Sequence, residues 1–466
     1  MSAPTPDLPV APSLRREMHG LGALMITLSC LSPSLGVFVV GGDVIRQAGS
    51  GAILAFVAAA LLGVAMASVY AELISAFPDT GAEYTLIGRT LGPSGGFAAL
   101  GLNLLGAPVG SAITALGVAS YLQVAFPALP VVPVALVNTA AVYLIAILNI
   151  RFNALVTGAF LAVEVLSLIV LAMLGLLHPH RGPMSLLQPA LPTAGGALVP
   201  VSLAVMGTAF SGAVYAFNGY ASVVSVSEEM HEPHAKVTGV VFGALGLACL
   251  LEILPMLGVW LGAPDLVSLV RAPAPIAAFA RQAGGPAFAY ALGLSVALAL
   301  FNANIANSLI FGRQLYSTGR DGVWPTPISR ALATIHPRLH TPWVATLTVG
   351  ALSLIACLVP LHILVILIGS GTSLVYGGIC LAVVFGRRNG ATRGSLHRTP
   401  LYPLAPALAL LVLAFMLFES LDDGDGRAGI VISLFVILAW VAFYHLRLRP
   451  SGRWAHRGPD APGAPF

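Results

Sequence analysis

Long apolar blocks, each closed by a short polar or Gly/Pro-containing stretch, run along almost the whole chain. A membrane-crossing helix needs roughly 20 apolar residues. Twelve blocks meet or approach that length, near residues 21–45, 51–77, 95–125, 131–149, 152–177, 198–227, 237–262, 286–317, 343–359, 361–385, 402–420 and 428–446. The pattern predicts an all-α, polytopic membrane protein of twelve transmembrane helices over residues 21–448, and an even count puts both termini on one side. The flanks differ. "MSAPTPDLPVAPSLRREMHG", residues 1–20, is Pro-rich without an apolar core and reads as a disordered tail rather than a cleavable signal peptide. Residues 449–466 read as a second tail.

Two of the blocks are interrupted. The first contains "LSCLSPSLGVFVVGG", Leu28 to Gly42, where Pro33 removes a backbone donor among three serines and Gly36 invites the chain out of helical geometry. Pro33 stands about twelve residues into the block, roughly 18 Å deep. The sixth contains "GAVYAFNGYASVVSVSEE", with Asn218-Gly219 about ten residues from the charged end at Glu228, roughly 15 Å deep. Both breaks fall near the middle of a hydrocarbon core about 30 Å thick. Lipid offers no partner to backbone groups freed there. A single kink satisfied by hydroxyls and neighbouring helices is common. Two breaks at matching depth, five blocks apart, are what secondary transporters use to present half-helix ends to a substrate at the midplane. A five-block offset also predicts inverted repeats, over about 21–177 and 198–385, with 402–446 added. The loops opening the third and eighth blocks, "LIGRTLGPSGGF" and "AFARQAGGPAF", echo each other: Arg89 and Arg281 each precede a Gly by three residues, and a Pro follows at once or one residue later.

Composition and charge agree with this picture. Of 466 residues, 57% are hydrophobic and 9% charged, where a soluble domain carries about 25% charged; mean hydropathy is +0.91. Lys and Arg total 22, and with cytoplasmic termini only Arg46, Arg181, Arg271, Arg281 and Arg427 lie outside, which leaves 17 inside. The positive-inside bias therefore predicts cytoplasmic termini in a cell (inner) membrane. It also accounts for the pI near 9.0 through an anionic inner leaflet, without a nucleic-acid partner. Cys30, Cys249, Cys357 and Cys380 lie in apolar runs without CxxC spacing and read as unpaired small hydrophobes.

Three motifs then carry a resemblance. "YAELISAFPDTGAEYTLIGRTLGP", Tyr70 to Pro93, is similar to a Y-x-E-L…P-x-x-G-x-x-Y signature. "YAFNGYASVVSVSEEMHEP" looks like an aromatic-Gly-aromatic break followed by paired Glu. "NANIANSLIFGRQLYSTGRDGVWP" resembles an R-x-x-Y-x-x-x-R-D-G-x-x-P segment, with Thr341-Pro342 opening the ninth block. The chain so resembles the amino acid–polyamine–organocation superfamily over residues 20–448. The resemblance implies a leucine-transporter-type five-plus-five inverted repeat with broken helices 1 and 6, two added helices, and alternating access. It implies a substrate site between the breaks, from Ser32, Ser34, Leu35, Gly36 and Val37 on one side and Tyr215, Phe217, Asn218, Gly219 and Tyr220 on the other. Helix 1 N–H groups would take a carboxylate, helix 6 carbonyls an ammonium, and the aromatics would add cation–π attraction. One departure stands out. The family usually carries Gly-Ser-Gly at the first break, whereas this chain has Pro33-Ser34-Leu35-Gly36. The N–H groups of Leu35, Gly36 and Val37 remain for an α-carboxylate, and an amine or polyamine lacking a carboxylate becomes the competing substrate.

Four carboxylates fall within the apolar blocks, and each is a functional candidate by default. Glu72 lies near the inner end of its block within reach of water or Arg89 and reads as a gate-side structural residue; Glu419, beside Asp422, Asp423 and Asp425, is expected to be solvated. Glu164 stands alone in "FLAVEVLSLIVLAML". The resemblance implies a comparable site on the fifth helix that is often Lys and reaches toward helices 1 and 8, where sodium-coupled relatives bind the ion. A Glu there can carry a proton or help hold a cation, with Asn304, Asn307 and Ser308 as neutral partners and Glu252 in second rank. The coupling ion is therefore expected to be H+, with exchange as the alternative. A channel would need rings of like residues along a pore. A membrane enzyme would need a paired acid–base or metal set, and the eleven His lie mainly in loops and near helix ends without HExxH spacing. The expected partners are a small-molecule substrate, the coupling ion and the lipid bilayer, with no cofactor and no metal.

Overall fold

The computed structural model describes residues 14–458 apart from Pro127, Ala194 and Asp423. The two tails expected at 1–20 and 449–466 therefore fall outside the described residues over 1–13 and 459–466. Eight helices are long and apolar enough to cross a membrane, from Gly20–Ala48 to Gly424–Ser451. Four shorter apolar helices, Val131–Ala146, Leu203–Ala216, Trp343–Ala356 and Leu404–Glu419, occupy the remaining expected blocks. A helix closes all of its own backbone bonds, so in lipid each block has little alternative to this form. The protein is a multi-pass membrane protein.

Three local expectations are corrected. Residues 198–200 begin no helix: Leu198–Pro200 pairs antiparallel with Ala190–Pro192, in the register Ala190 to Pro200, so the fold is not strictly all-α. The sixth helix starts at Leu203, where the Ser202 hydroxyl caps the Val205 N–H. The stretches opening the third and eighth blocks are helical rather than loops. Glu83–Leu91 runs to Gly92 and then into Pro93–Ala125. Pro275–Arg320 is likewise interrupted at Gly285, just before Pro286. The two interruptions have nearly the same backbone, φ 88° and ψ 172° at Gly92 and φ 82° and ψ 173° at Gly285. A residue before proline is barred from the helical region, and only glycine adopts this positive φ readily. The shared element is thus a Gly-Pro junction and not the Arg-to-Gly spacing.

The first helix, Gly20–Leu31, packs against Ile150–Leu176, Pro233–Gly262 and Pro275–Arg320, so its end lies inside the bundle. Both described ends of the chain lie at one face. Met18 bridges to Met230, and the Arg457 N–H donates to Asp321 at 3.0 Å. This agrees with an even number of crossings.

Candidate functional site

The first break is built by three residues. Leu31 ends the helix, and Ser32 turns left-handed at φ 52° and ψ 83°, a conformation that costs a non-glycine residue of order 1–3 kcal/mol. Pro33 has no N–H. Past the break the chain continues as a widened π-type helix, Leu35–Gly41, before ordinary helix resumes at Gly42; such bulges cluster at functional sites. A helix start leaves about four N–H groups without partners, and here each of the first positions is accounted for. Pro33 contributes none, the Ser34 N–H donates to Glu164 Oε1 at 2.7 Å, and the N–H groups of Leu35 and Gly36 donate to the Ser32 carbonyl at 2.9 and 3.3 Å. The expectation that Leu35 and Gly36 keep free donors for a substrate carboxylate is therefore corrected. The left-handed turn at Ser32 folds its carbonyl back over them.

Glu164 is 1% exposed and also accepts the Ser32 hydroxyl at 3.3 Å. Its other oxygen has no hydrogen-bond partner among the described residues. Asn304, Asn307 and Ser308 bind elsewhere. Asn304 pairs with Ser111 at 2.8 Å, Ser308 donates to the Asn304 carbonyl, and Asn307 donates to the carbonyls of Ala303 and Cys30. The side chain that ties the eighth block to the first and fifth is Asn302, which donates to Ser29 Oγ at 3.0 Å and the Thr157 carbonyl at 3.2 Å. Sequence reasoning missed it, although it sits in the quoted "NANIANSL". Glu252 is fully buried with both oxygens unpartnered among the described residues. Its carboxyl lies against Gly36, where any Cβ would collide with it.

The second break runs from Phe217 to Ala221 between Leu203–Ala216 and the tight 3-10 turns of Ser222–Glu229. Gly219 takes φ 121°, and a Cβ there would stand 2.9 Å from Leu31 Cα. The two breaks thus meet backbone to backbone. Phe217 and Tyr220 are buried at 2% and 3%, whereas Tyr215 stays 48% exposed, outside the packed cluster. Val37 and Ser34 are buried, and Leu35 is half-buried. Asn218 Oδ1 accepts from the Tyr376 hydroxyl. Tyr70 packs edge-on against Tyr220 and Tyr376, at 6.3 and 5.7 Å between ring centres, and Phe56 against Phe217 at 5.8 Å. A small cavity lies between Phe217, Asn218, Tyr220, Tyr376 and Met66. Tyr376 was missed because nothing in "TSLVYGGIC" distinguishes it from a core aromatic.

The three sequence motifs converge at the face that carries both described ends. Arg320 holds Glu228 at 2.8 and 2.9 Å and Asp79 at 3.0 Å, Thr80 donates twice to Glu228, and Arg313 pairs with Glu229. The stretch after the last long helix joins them, through Trp454 to Tyr84 at 2.6 Å and Ala455 to the Asp321 carbonyl at 3.1 Å. Burial would raise the Asp321 carboxyl, but His456 at 3.4 Å and Arg320 at 3.5 Å outweigh it and hold that carboxyl below the usual aspartate range. Glu72 is not served by Arg89, which instead stands 3.8 Å from Asp79. Arg387 clamps Glu72 at 2.8 and 2.6 Å, and Thr399 donates to it from both backbone and side chain. Glu419 is half-buried, Asp422 is exposed, and Asp423 lies outside the described residues.

Sequence comparison agrees with this architecture. The amino acid permease family model matches residues 20–443. The branched-chain amino acid permease BcaP of Bacillus subtilis is 26% identical, with 94% of each chain covered. Human Asc-type amino acid transporter 1 is 26% identical over 96% of this chain and 85% of its own. The mouse large neutral amino acids transporter small subunit 2 is 25% identical over 96% of this chain and 82% of its own. A matched family of permeases, a bundle of apolar helices and two interrupted helices in contact agree with one another: the chain belongs to the amino acid permease family of the amino acid–polyamine–organocation superfamily, a family of membrane transporters and not of enzymes.

Proposed function

We propose that the protein carries an amino acid across the cell membrane by alternating access, as a substrate–proton symporter with both termini in the cytoplasm. The observation that carries the reading is Glu164: a buried carboxylate, isolated at mid-helix, bonded to the backbone of the first break. A carboxylate at that depth is costly unless it is neutralised during the cycle, and a proton is the smallest neutraliser. The matching Gly92-Pro93 and Gly285-Pro286 junctions, five blocks apart, support the five-plus-five repeat over about 21–177 and 198–385, with 402–446 appended. The names of the relatives support a zwitterionic amino acid as cargo. The substrate would lie between Ser32, Ser34, Gly36 and Val37 and the residues Phe217 to Tyr220. The Tyr376 hydroxyl's bond to Asn218 supports adding that side chain, and the exposure of Tyr215 makes it peripheral.

The experiment is uptake into proteoliposomes. Proton-gradient-driven accumulation, independent of sodium, is the expected result. Glu164→Gln should keep exchange between preloaded liposomes and lose gradient-driven accumulation. Undiminished accumulation in that variant turns attention to Glu252, and a strict sodium requirement removes the proton reading. One observation favours a second reading. The Leu35 and Gly36 donors are already used, so an amine without a carboxylate, paired with Glu164, is the competing cargo.

A further inference from the structure

A substrate with an α-carboxylate needs N–H donors at the first break, and the structure offers few. Pro33 has none, and Leu35 and Gly36 donate to the Ser32 carbonyl. The Ser34 N–H is the donor whose bond crosses to another helix, and its partner is the protein's own Glu164 at 2.7 Å, reinforced by the Ser32 hydroxyl at 3.3 Å. We propose that Glu164 is a built-in occupant of the substrate-carboxylate site, displaced by the substrate only when it takes up a proton. The inference rests on the amino acid–proton reading above and supplies its coupling step.

The chemistry balances simply. Two carboxylates sharing one N–H and one O–H in a dry site repel each other strongly. A proton from the aqueous phase converts Glu164 to the neutral acid, which loses its hold on Ser34. The substrate carboxylate then accepts the Ser34 N–H and the Ser32 O–H. The new Glu164 O–H needs an acceptor, and the proposal assigns that part to Glu252. Its two oxygens are buried and unpartnered among the described residues, and they lie against Gly36, two residues along the same strand of backbone. Glu164 Oε2, also unpartnered, is the fourth oxygen of the pair. The number of carboxylates at the break is conserved, since the substrate carboxylate replaces the one that was neutralised, and the substrate ammonium is the added positive charge. Proton and substrate therefore bind together because each alone leaves an uncompensated group.

The groups facing Glu164 are few. Pro233–Gly262 presents Glu252 to it. The break presents Ser32 and Ser34, and the neutral Asn302 of Pro275–Arg320 bonds Ser29 and the Thr157 carbonyl nearby. Arg313, farther along that helix, is bound to Glu229. Two carboxyls lie at this depth, and the proposal gives them different tasks.

The test is proton uptake on equilibrium binding. Purified protein in weakly buffered solution is titrated with L-leucine, L-alanine and L-serine, and with isoamylamine, the decarboxylated form of leucine. In the wild type, binding of an amino acid should take up about one proton per substrate once the pH is high enough for Glu164 to be ionised. Apparent affinity should fall as pH rises further. Isoamylamine should bind without that uptake. Glu164→Gln should bind the amino acid with no proton uptake and without the loss of affinity at high pH. Ser32→Ala removes one donor from Glu164 and from the substrate carboxylate alike, so it should leave the uptake of about one proton per substrate in place. Equal proton uptake by Glu164→Gln and wild type overturns the proposal, as does loss of the proton uptake in Ser32→Ala while Glu164 is intact. Tighter binding of isoamylamine than of any amino acid, abolished by Glu164→Gln, overturns it in favour of an amine ion-paired to Glu164. Failure of proton-driven accumulation in wild-type liposomes would instead strike the symport reading itself, and the two failures are distinguishable.

Discussion

Gly219 is where the two interrupted helices touch, and its replacement tests whether that contact belongs to the transport cycle. Its φ of 121° is a region that side chains rarely adopt, which costs about 1–3 kcal/mol for any L-residue. An added Cβ would sit 2.9 Å from Leu31 Cα and 3.1 Å from Leu31 N. Those atoms are backbone, so relief requires moving the first helix end. Overpacking of this kind costs about a further 1–3 kcal/mol. If the cycle passes through the packed arrangement, a total of about 2–6 kcal/mol slows it by roughly thirtyfold to twenty-five-thousandfold. Gly219→Ala should stand near the lower bound. Gly219→Leu, which must also place its branch against Leu31, should abolish measurable uptake. The assay is initial-rate uptake into proteoliposomes, with yield and monodisperse elution as evidence of intact insertion. Wild-type rates in Gly219→Leu would refute the contact's role and with it the placement of the substrate beside the second break.

Decarboxylated analogues should compete with their parent amino acids far more weakly than side-chain homologues do, because a polar site left unpaired discriminates more strongly than a missing methylene; inhibition of labelled amino acid uptake measures this. Arg320→Ala should lower stability by about 3–5 kcal/mol, since it strands Glu228, at 7% side-chain exposure, without its cation and leaves Asp79, at 3%, with only Arg89 at 3.8 Å. Thermal unfolding in detergent reads that loss, and Arg320→Lys should restore little because one ammonium cannot span the fork. Asp321, held below the usual aspartate range, should keep residues 454–457 docked at pH 5. Its folded-state value is depressed, so its contribution is complete above the ordinary value of about 3.9 and is lost as pH falls through the lower folded one. Amide exchange at Ala455 and Arg457, corrected for intrinsic rates, should report this, with Asp321→Asn releasing both amides at neutral pH.

What the sequence made legible was local. Helix-forming blocks follow from length and hydropathy, and breaks from Pro33 and Asn218-Gly219, because each depends on residues adjacent in the chain. The Gly-Pro junctions were visible but aligned on the wrong residue: Arg89 and Arg281 drew attention, while the constraint lies in the φ of the glycine and the proline after it. Partners were not legible. Glu164 finds Ser34 across 130 residues and Glu72 finds Arg387 across 315, and only packing brings such groups together. The motifs behave the same way. Asp79, Glu228, Glu229, Arg313, Arg320 and Asp321 lie in three separate motifs, and the fold joins Asp79, Glu228 and Asp321 on Arg320 and pairs Arg313 with Glu229.

The departure at the first break and the acid on the fifth helix, noticed apart, are one structural fact. Replacing glycine by Pro33 deletes a donor from the helix start, and the left-handed turn at Ser32 folds its carbonyl onto the next two. Among Pro33 to Gly36, the Ser34 N–H is left to be met from another helix, and one carboxylate oxygen suffices to meet it. A cation at position 164 could not, since an ammonium donates hydrogen bonds and accepts none. The altered break thus calls for an acceptor, and Glu164 supplies one.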